Sequence, residues 1–421
     1  MQQQRQELAR SGSYRTPEYF VSFYNYLPEV RKEFPNLPRS VQFHDITLRD
    51  GEQQPNVIFR KDEKIKIARK LDEAGVDRIE AGMPGVSLQD QLAVSSIAHL
   101  GLESKIYSFS RCLKSDVDLA LKCDVDGIMM EVPSSDHLIK YGYGWTEERA
   151  LKSSIEATQY AHDHGLKVTF FTIDSTRASF DIFWRLVNAV AMEGFMDALT
   201  LVDTFGVASP QAISYFVRKV KEKIGTKSPL EIHVHNDFGL AVANTIAAVM
   251  EGVDVVHTTV NGIGERSGNA STEEVAFALK LLYAVDSMIK FDKLRSLSKL
   301  VQELSMIKAP PQKPITGDNL FTTESGIIAG WWARLEELNM PLEMFPFLPT
   351  FAGHDPEVKV VLGKKSGKDS ITFKAKKMGI NIPEAKVESV LVRVKEASEE
   401  KKRILTDDEF LSILRELGGI R

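Results

Sequence analysis

The sequence predicts a (β/α)8 barrel of the TIM type followed by a mainly helical C-terminal appendage. From Val41 onward, eight short apolar runs alternate with longer stretches of helical period. Eight such units fill about 250 residues, the size of that fold. No G-x-G-x-x-G follows the first run, which removes the main argument for a doubly wound open sheet.

The runs read as strands are Val41–Leu48, Arg78–Gly82, Lys105–Ser110, Gly127–Val132, Lys167–Ile173, Ala198–Thr204, Glu231–His235 and Val255–Val260. Being mostly apolar, they suit a parallel sheet covered by helices. The helices are expected at Lys61–Ala74, Thr146–His164, Pro210–Ile224, Ala241–Glu251 and Thr272–Ala284, among others. Ser209-Pro210 and Ser271-Thr272-Glu273-Glu274 read as helix starts. Gly75, Gly165, Gly194, Gly225 and Gly252 stand where a left-handed residue ends a helix.

The barrel is expected over 41–290. Residues 1–40 read as an extension packed on it, with Phe20, Phe23, Tyr24 and Leu27 making one apolar face at helical spacing. Over 291–421 prolines break the chain into short pieces, with helices expected near Ser325–Leu338, Val358–Leu362, Asp369–Met378, Glu384–Glu400 and Asp407–Leu417. A net charge of -5 leaves no basic footprint for nucleic acid. No apolar run is long enough for a membrane span, and the polar first residues lack the apolar core of a signal peptide. Two cysteines, Cys112 and Cys123, are too few for a disulfide framework, so a reducing cytoplasmic setting is expected.

In this fold the chemistry sits at the C-terminal ends of the strands, so polar residues there are the site candidates. The seventh strand carries His233 and His235, two apart and therefore on one face. Two imidazoles so placed form a ligand pair for a divalent cation; the plain alternative is a pair of satisfied core histidines. Asp50, just past the first strand, supplies the carboxylate that such a pair lacks, and Arg49 beside it can balance charge on an oxyanion. Here the alternative is an Arg–Asp pair closing the barrel top. Glu80, after the second strand, can orient Arg49 or a ligand. The glycine-rich loop Asn261–Asn269 follows the eighth strand. Gly262 and Gly264 let its backbone approach a ligand, and Asn269 can complete the cation's shell. Gln53, Thr204 and Arg111 are further candidates. Arg111 is suited to gripping a carboxylate with both arms of its fork, or to a surface ion pair. His44 has the opposite strand parity to Arg49 and is expected to pack outward; His257 is ambiguous.

Four stretches carry a family resemblance: Asp45–Gln53, Arg78–Gly82, His233–Gly239 and Asn261–Ala270. Together they resemble the alkylmalate synthases, which include isopropylmalate, homocitrate and citramalate synthases. More widely the chain is similar to the DRE-TIM metallolyases, such as hydroxymethylglutaryl-CoA lyase. Phe321–Gly326 and Leu362–Gly367 look like that family's linker region. The resemblance implies a Claisen-type condensation of an acyl-CoA, acetyl-CoA first, with a 2-oxo acid, as in amino-acid biosynthesis. It implies one divalent cation (Zn, Mn, Mg or Co) on Asp50, His233, His235 and Asn269. The catalytic groups it implies are Arg49, Glu80 and Thr204, and the substrate-binding ones are Gln53, Arg111, Thr204, Gly262 and Gly264. A homodimer is also implied, and the position of Arg111 favours a dicarboxylic oxo acid. A regulatory domain beyond the linker, and feedback inhibition through it, is not expected.

The chain departs from the pattern in three places. Ile173 stands where the synthases carry a glutamate, and Thr323 and Ile328 stand where they carry histidines. An isoleucine cannot move a proton; His354, Glu324 and Asp355 are possible substitutes. The lyase cysteine is missing from the glycine loop. A carbon–carbon lyase or aldolase and a non-catalytic binding homologue are therefore the competing readings.

Overall fold

The computed structural model describes residues 14–225 and 228–418. By their internal contacts they form two compact units, one of Ser22–Ala309 and one of Tyr14–Val21 with the chain from Pro310 onward.

In the first unit eight parallel strands close into a barrel in chain order. They are β1 (Gln42–Asp45), β2 (Arg78–Glu80), β3 (Lys105–Arg111), β4 (Gly127–Pro133), β5 (Lys167–Ile173), β6 (Ala198–Asp203), β7 (Leu230–Val234) and β8 (Val255–Thr258). β8 pairs back onto β1 with His257 opposite His44, which leaves the barrel without an edge. Eight helices follow the strands: α1 (Lys61–Glu73), α2 (Leu88–Ala98), α3 (Lys114–Cys123), α4 (Glu147–Asp163), α5 (Phe180–Glu193), α6 (Pro210–Ile224), α7 (Ala241–Met250) and α8 (Thr272–Tyr283). α6 shows why they form. Ser209 Oγ accepts from Ala212 N at its start, Pro210 fills the first turn, and Ile213, Val217 and Val220 recur on one buried face. A further helix, Phe291–Ser305, also belongs to this unit.

Four of the five helix-ending glycines are left-handed; Gly194 is not, with φ -105. Its lack of a side chain has another cause: a Cβ there would lie 2.6 Å from Thr158 Oγ1 on α4.

The barrel interior is polar below the mouth. On β7 alternate residues Glu231 and His233 face inward, and Glu231 meets Arg78 at 2.6 Å and His257 at 2.8 Å. His44 also points inward, against expectation: it stacks on His257 with centroids 4.6 Å apart and meets Glu80 at 3.2 Å. The strand ends at Asp45 and the chain turns before Arg49, so parity counted from Arg49 does not carry back to His44. Burial holds both His44 and His257 below the ordinary histidine range, the latter at about 4. Above this layer Tyr107, Phe109, Met129, Phe171 and Val202 make an apolar cluster, with Met83 and Ile173 packed on it.

The second unit holds helices Gly326–Glu337, Lys368–Lys377, Glu384–Lys401 and Asp407–Glu416, the last three packed around Ile371, Val390, Val394, Phe410 and Leu414. Val358–Leu362 is not helical. Lys359–Val360 pairs in parallel with Thr322–Thr323, and Val358, Val360 and Leu362 are buried at period two. The apolar face expected near the N-terminus does not form either. Phe23 and Tyr24 are exposed, while Tyr26 is buried and its hydroxyl donates to Leu281 O at 2.7 Å. Among the described residues no helix is long and apolar enough to cross a membrane. Cys112 and Cys123 are free and buried.

Candidate metal centre and barrel mouth

After β1 the chain winds into a tight turn in which the backbone N–H groups of Arg49, Asp50 and Gly51 all donate to Ile46 O. That turn lifts Asp50 to the rim while keeping it 2% exposed. His233 lies near the end of β7. His235, one step past the strand, is fixed by its N–H donating to Asp203 O at 3.2 Å and by a bridge to Asn269.

These elements bring Asp50, His233 and His235 together. Their ligand atoms all lie within 4.8 Å of one another. The two Nε2 atoms are 3.2 Å apart, and His235 Nε2 is 3.7 Å from Asp50 Oδ2. Around a cation about 2.1 Å from its ligands, neighbouring donors stand about 3.0 Å apart in octahedral and about 3.4 Å apart in tetrahedral geometry. The donor set fits. Burial, above all, pushes both imidazoles below the ordinary histidine range, so their nitrogen lone pairs are free to bind. Asn269 Nδ2 donates to Asp50 Oδ2 at 2.5 Å and to Ile263 O at 3.2 Å, leaving Oδ1 buried without a hydrogen bond among the described residues.

Arg49 runs beside this group. Its Nη1 donates to Asp50 Oδ1 at 2.6 Å and its Nε to Glu80 Oε1, while its guanidinium lies 4.0 Å above the Phe109 ring. Nη2 is buried with no hydrogen-bond partner among the described residues. Burial favours a neutral guanidine, but Glu80 and Asp50 outweigh it and keep the charge in place. Glu80 is raised above the ordinary carboxyl range by its own burial, with Arg49 opposing.

The remaining candidates are more dispersed. Gln53 is exposed, and with Arg49, Glu52 and Lys64 it lines a cleft beside the mouth. Gly264 (φ 155) faces Asn269: a Cβ there would lie 2.2 Å from Asn269 Nδ2. Gly262 is left-handed at φ 72, with its would-be Cβ 3.2 Å from Asn269 O. Thr204 Oγ1 accepts from Asp174 N, and its carbonyl accepts from Arg266. Arg111 has its fork taken: Nε and Nη2 donate to the two oxygens of Asp116 at 2.8 and 2.9 Å. In the second unit His354 meets Ile315 O and Glu324 accepts from Lys365 N.

Several mouth and interior residues went unseen in the sequence. Glu231 was legible in principle, sharing parity with His233 and His235. Asp174, buried and left-handed at φ 63, gathers Ser135 (2.6 Å), His137 (2.8 Å) and Arg177 (2.7 Å). Glu131 on β4 accepts from the Tyr143 hydroxyl at 3.1 Å.

Comparison with known proteins follows the same lines. Residues 40–301 match the HMGL-like family model. The chain is 40% identical over 401 residues to the homocitrate synthase of Methanothermobacter thermautotrophicus, covering 95% of this chain and 98% of that one. It is also 40% identical over 379 residues to the (R)-citramalate synthase of Methanocaldococcus jannaschii, covering 90% and 75% respectively. Among solved structures, hydroxymethylglutaryl-CoA lyase from Pseudomonas aeruginosa superposes with a TM-score of 0.60 at 20% identity, covering 66% of this chain and 97% of that one. That likeness shows a shared fold. The family match spans every strand of the barrel and both stretches that bring Asp50, His233 and His235 together. The chain belongs to the HMGL-like family, among relatives named as homocitrate and citramalate synthases.

Proposed function

We propose that this protein is an alkylmalate-type synthase. It condenses an acyl-CoA, acetyl-CoA first, with a 2-oxo acid to give a 2-hydroxy-2-alkyl dicarboxylic or tricarboxylic acid and free CoA. The observation that carries the reading is the convergence of Asp50, His233 and His235 beside a buried Arg49. Near-full-length relatives named as synthases support it.

Asp50, His233 and His235, with Asn269 beside them, would hold one divalent cation (Zn, Mn, Mg or Co). When bound, such an ion polarises a keto oxygen and orients the oxo acid. The protein's own part centres on Arg49. Held from two sides by Asp50 and Glu80, it keeps one unpartnered N–H group, Nη2, buried at the mouth. That group is placed to donate to the keto oxygen as charge builds on it. A proton leaves the acyl methyl, a carbon–carbon bond forms to the keto carbon, and the oxygen takes up a proton. Water then cleaves the thioester and CoA leaves as the thiol. Gln53 at the rim and the Gly262–Gly264 backbone line the approach, and Thr204 braces the loop that carries Asp174. A homodimer in a reducing cytoplasm completes the reading, in keeping with two free buried thiols.

The test is thiol release from acetyl-CoA with pyruvate, 2-oxoisovalerate and 2-oxoglutarate, with the four metals supplied in turn. Release that requires both substrates and is lost in Asp50→Asn supports the reading. Silence across the panel, or cleavage of a hydroxyacyl-CoA without any condensation, overturns it.

A further inference from the structure

Resting on the synthase reading, the specificity wall can be located. The cation site draws on the tops of β1 and β7. In a closed eight-strand barrel the wall facing them is β3–β5. An oxo acid whose carboxylate and keto oxygens face Asp50, His233 and His235 must run its remaining carbons toward that wall.

Most of what stands there is apolar: Phe109 and Phe171 in edge contact at 5.2 Å, with Met83 and Ile173 packed on them. At the mouth ends of these three strands the charged residues are Arg111 and Glu131, neighbours in the β3–β4 register; Lys105 and Lys167 stand at the opposite ends. Arg111 is neutralised by Asp116, which is itself only 3% exposed. Glu131 shares the inward parity of Met129. One of its oxygens takes the Tyr143 hydroxyl; the other has no hydrogen bond among the described residues. Of these two, the charge not taken up by an ion pair is the Glu131 carboxylate.

We propose that Glu131 selects for a 2-oxo acid with an uncharged tail and against a dicarboxylic one. A second carboxylate reaching this wall would meet an ionised Glu131 beside an arginine that is already paired, a like-charge contact of the kind that rejects rather than binds. An aliphatic tail would meet Phe109, Phe171, Met83 and Ile173. The selection reverses the preference that the position of Arg111 alone suggests. It also depends on pH. Burial pushes the Glu131 carboxyl up to about 7, against the pull of Tyr143, Arg49 and Arg111, while Asp116 pushes the same way as burial. The neighbouring Cys112 thiol, its pKa raised by burial, stays neutral. Rejection of the second carboxylate therefore sets in as pH rises through neutrality and fades below it.

The experiment measures kcat/KM, and the dissociation constant by calorimetry, for 2-oxoisovalerate and 2-oxoglutarate. Wild type, Glu131→Gln and Tyr143→Phe are compared at about pH 6 and about pH 8.5. In wild type the uncharged tail is preferred about tenfold or more at the higher pH, and the margin narrows at the lower. Glu131→Gln keeps an acceptor for Tyr143; it narrows the margin at the higher pH by lowering the KM for 2-oxoglutarate, and removes its pH dependence. Tyr143→Phe takes a donor from the carboxylate and moves the onset of rejection to higher pH. A preference for 2-oxoglutarate at both pH values, or a margin unchanged in Glu131→Gln, overturns the proposal. Thiol release with either acid carries the synthase reading separately. Without it, a tail preference in calorimetry that Glu131→Gln abolishes would sink the synthase and keep the pocket; no binding of either acid would sink both.

Discussion

Arg78 on β2 and Glu231 on β7 meet across the barrel axis at 2.6 Å, both nearly inaccessible to solvent. Neither strand is the other's neighbour in the sheet, so this pair ties the barrel through its middle rather than along its wall. Burial works against the charge on Glu231, but Arg78 and His257 outweigh it and hold the carboxyl well below the ordinary glutamate range. Removing one partner strands the other. Glu231→Ala should cost about 3–5 kcal/mol and lower Tm by roughly 10 °C in a thermal melt. An unchanged melt would show that the pair is idle.

The same pair makes a prediction about acid. A depressed carboxyl contributes stability that is fully present above the unfolded glutamate pKa, about 4.3, and is lost as pH falls through the folded value. Wild type should therefore lose stability on the acid side more steeply than Glu231→Gln. Denaturant midpoints measured from neutrality downward check this; parallel acid limbs would refute it.

Arg49 makes its own prediction. Arg49→Lys keeps a positive charge but cannot reach Glu80, Asp50 and a substrate oxygen together. In the thiol-release assay kcat should fall about 10²–10³-fold with KM moving much less. A loss confined to KM would reassign Arg49 to binding alone.

Cation loading should register as stability. A site with two neutral imidazoles and a carboxylate binds the folded state, so at about a hundred times the dissociation constant the gain is about 2.7 kcal/mol. Tm should rise with added Mn, Co or Zn, fall with a chelator, and stop responding in His235→Ala. A response that survives in that variant would place the ion elsewhere.

Gly264→Ala tests the loop. Its new methyl would crowd Asn269 Nδ2, the atom that donates to Asp50 Oδ2. Cation affinity, by calorimetry, should weaken about 10–100-fold, as when a group orienting a ligand is lost. Unaltered affinity would mean that Asn269 does not set the position of Asp50.

How much of this was legible in the sequence follows from the range of each interaction. Strand and helix periods are local, and Lys167–Ile173 and Pro210–Ile224 were read with their observed bounds. His233 and His235 needed only the two-residue repeat of a strand. Val358–Leu362 was misread because five residues are too few to separate period two from a helical face. His44 was misplaced because a turn after Asp45 breaks the count, and turns of that kind leave no periodic trace. Arg78 and Glu231 are 153 residues apart, and nothing in either segment says that they face each other. Glu131 looks like one acid in an otherwise apolar strand. Its meaning lies in Tyr143 and in the occupied fork of Arg111, which only the fold brings alongside.

Asp50 stands after the first strand and the two imidazoles at the end of the seventh, so β8, the last and one of the shorter staves, lies between them. An ion shared by the three would rivet the cylinder across the joint where it shuts. Slowed amide exchange on loading should then concentrate in β8 and its junction with β1, and leave β3–β5 as they were.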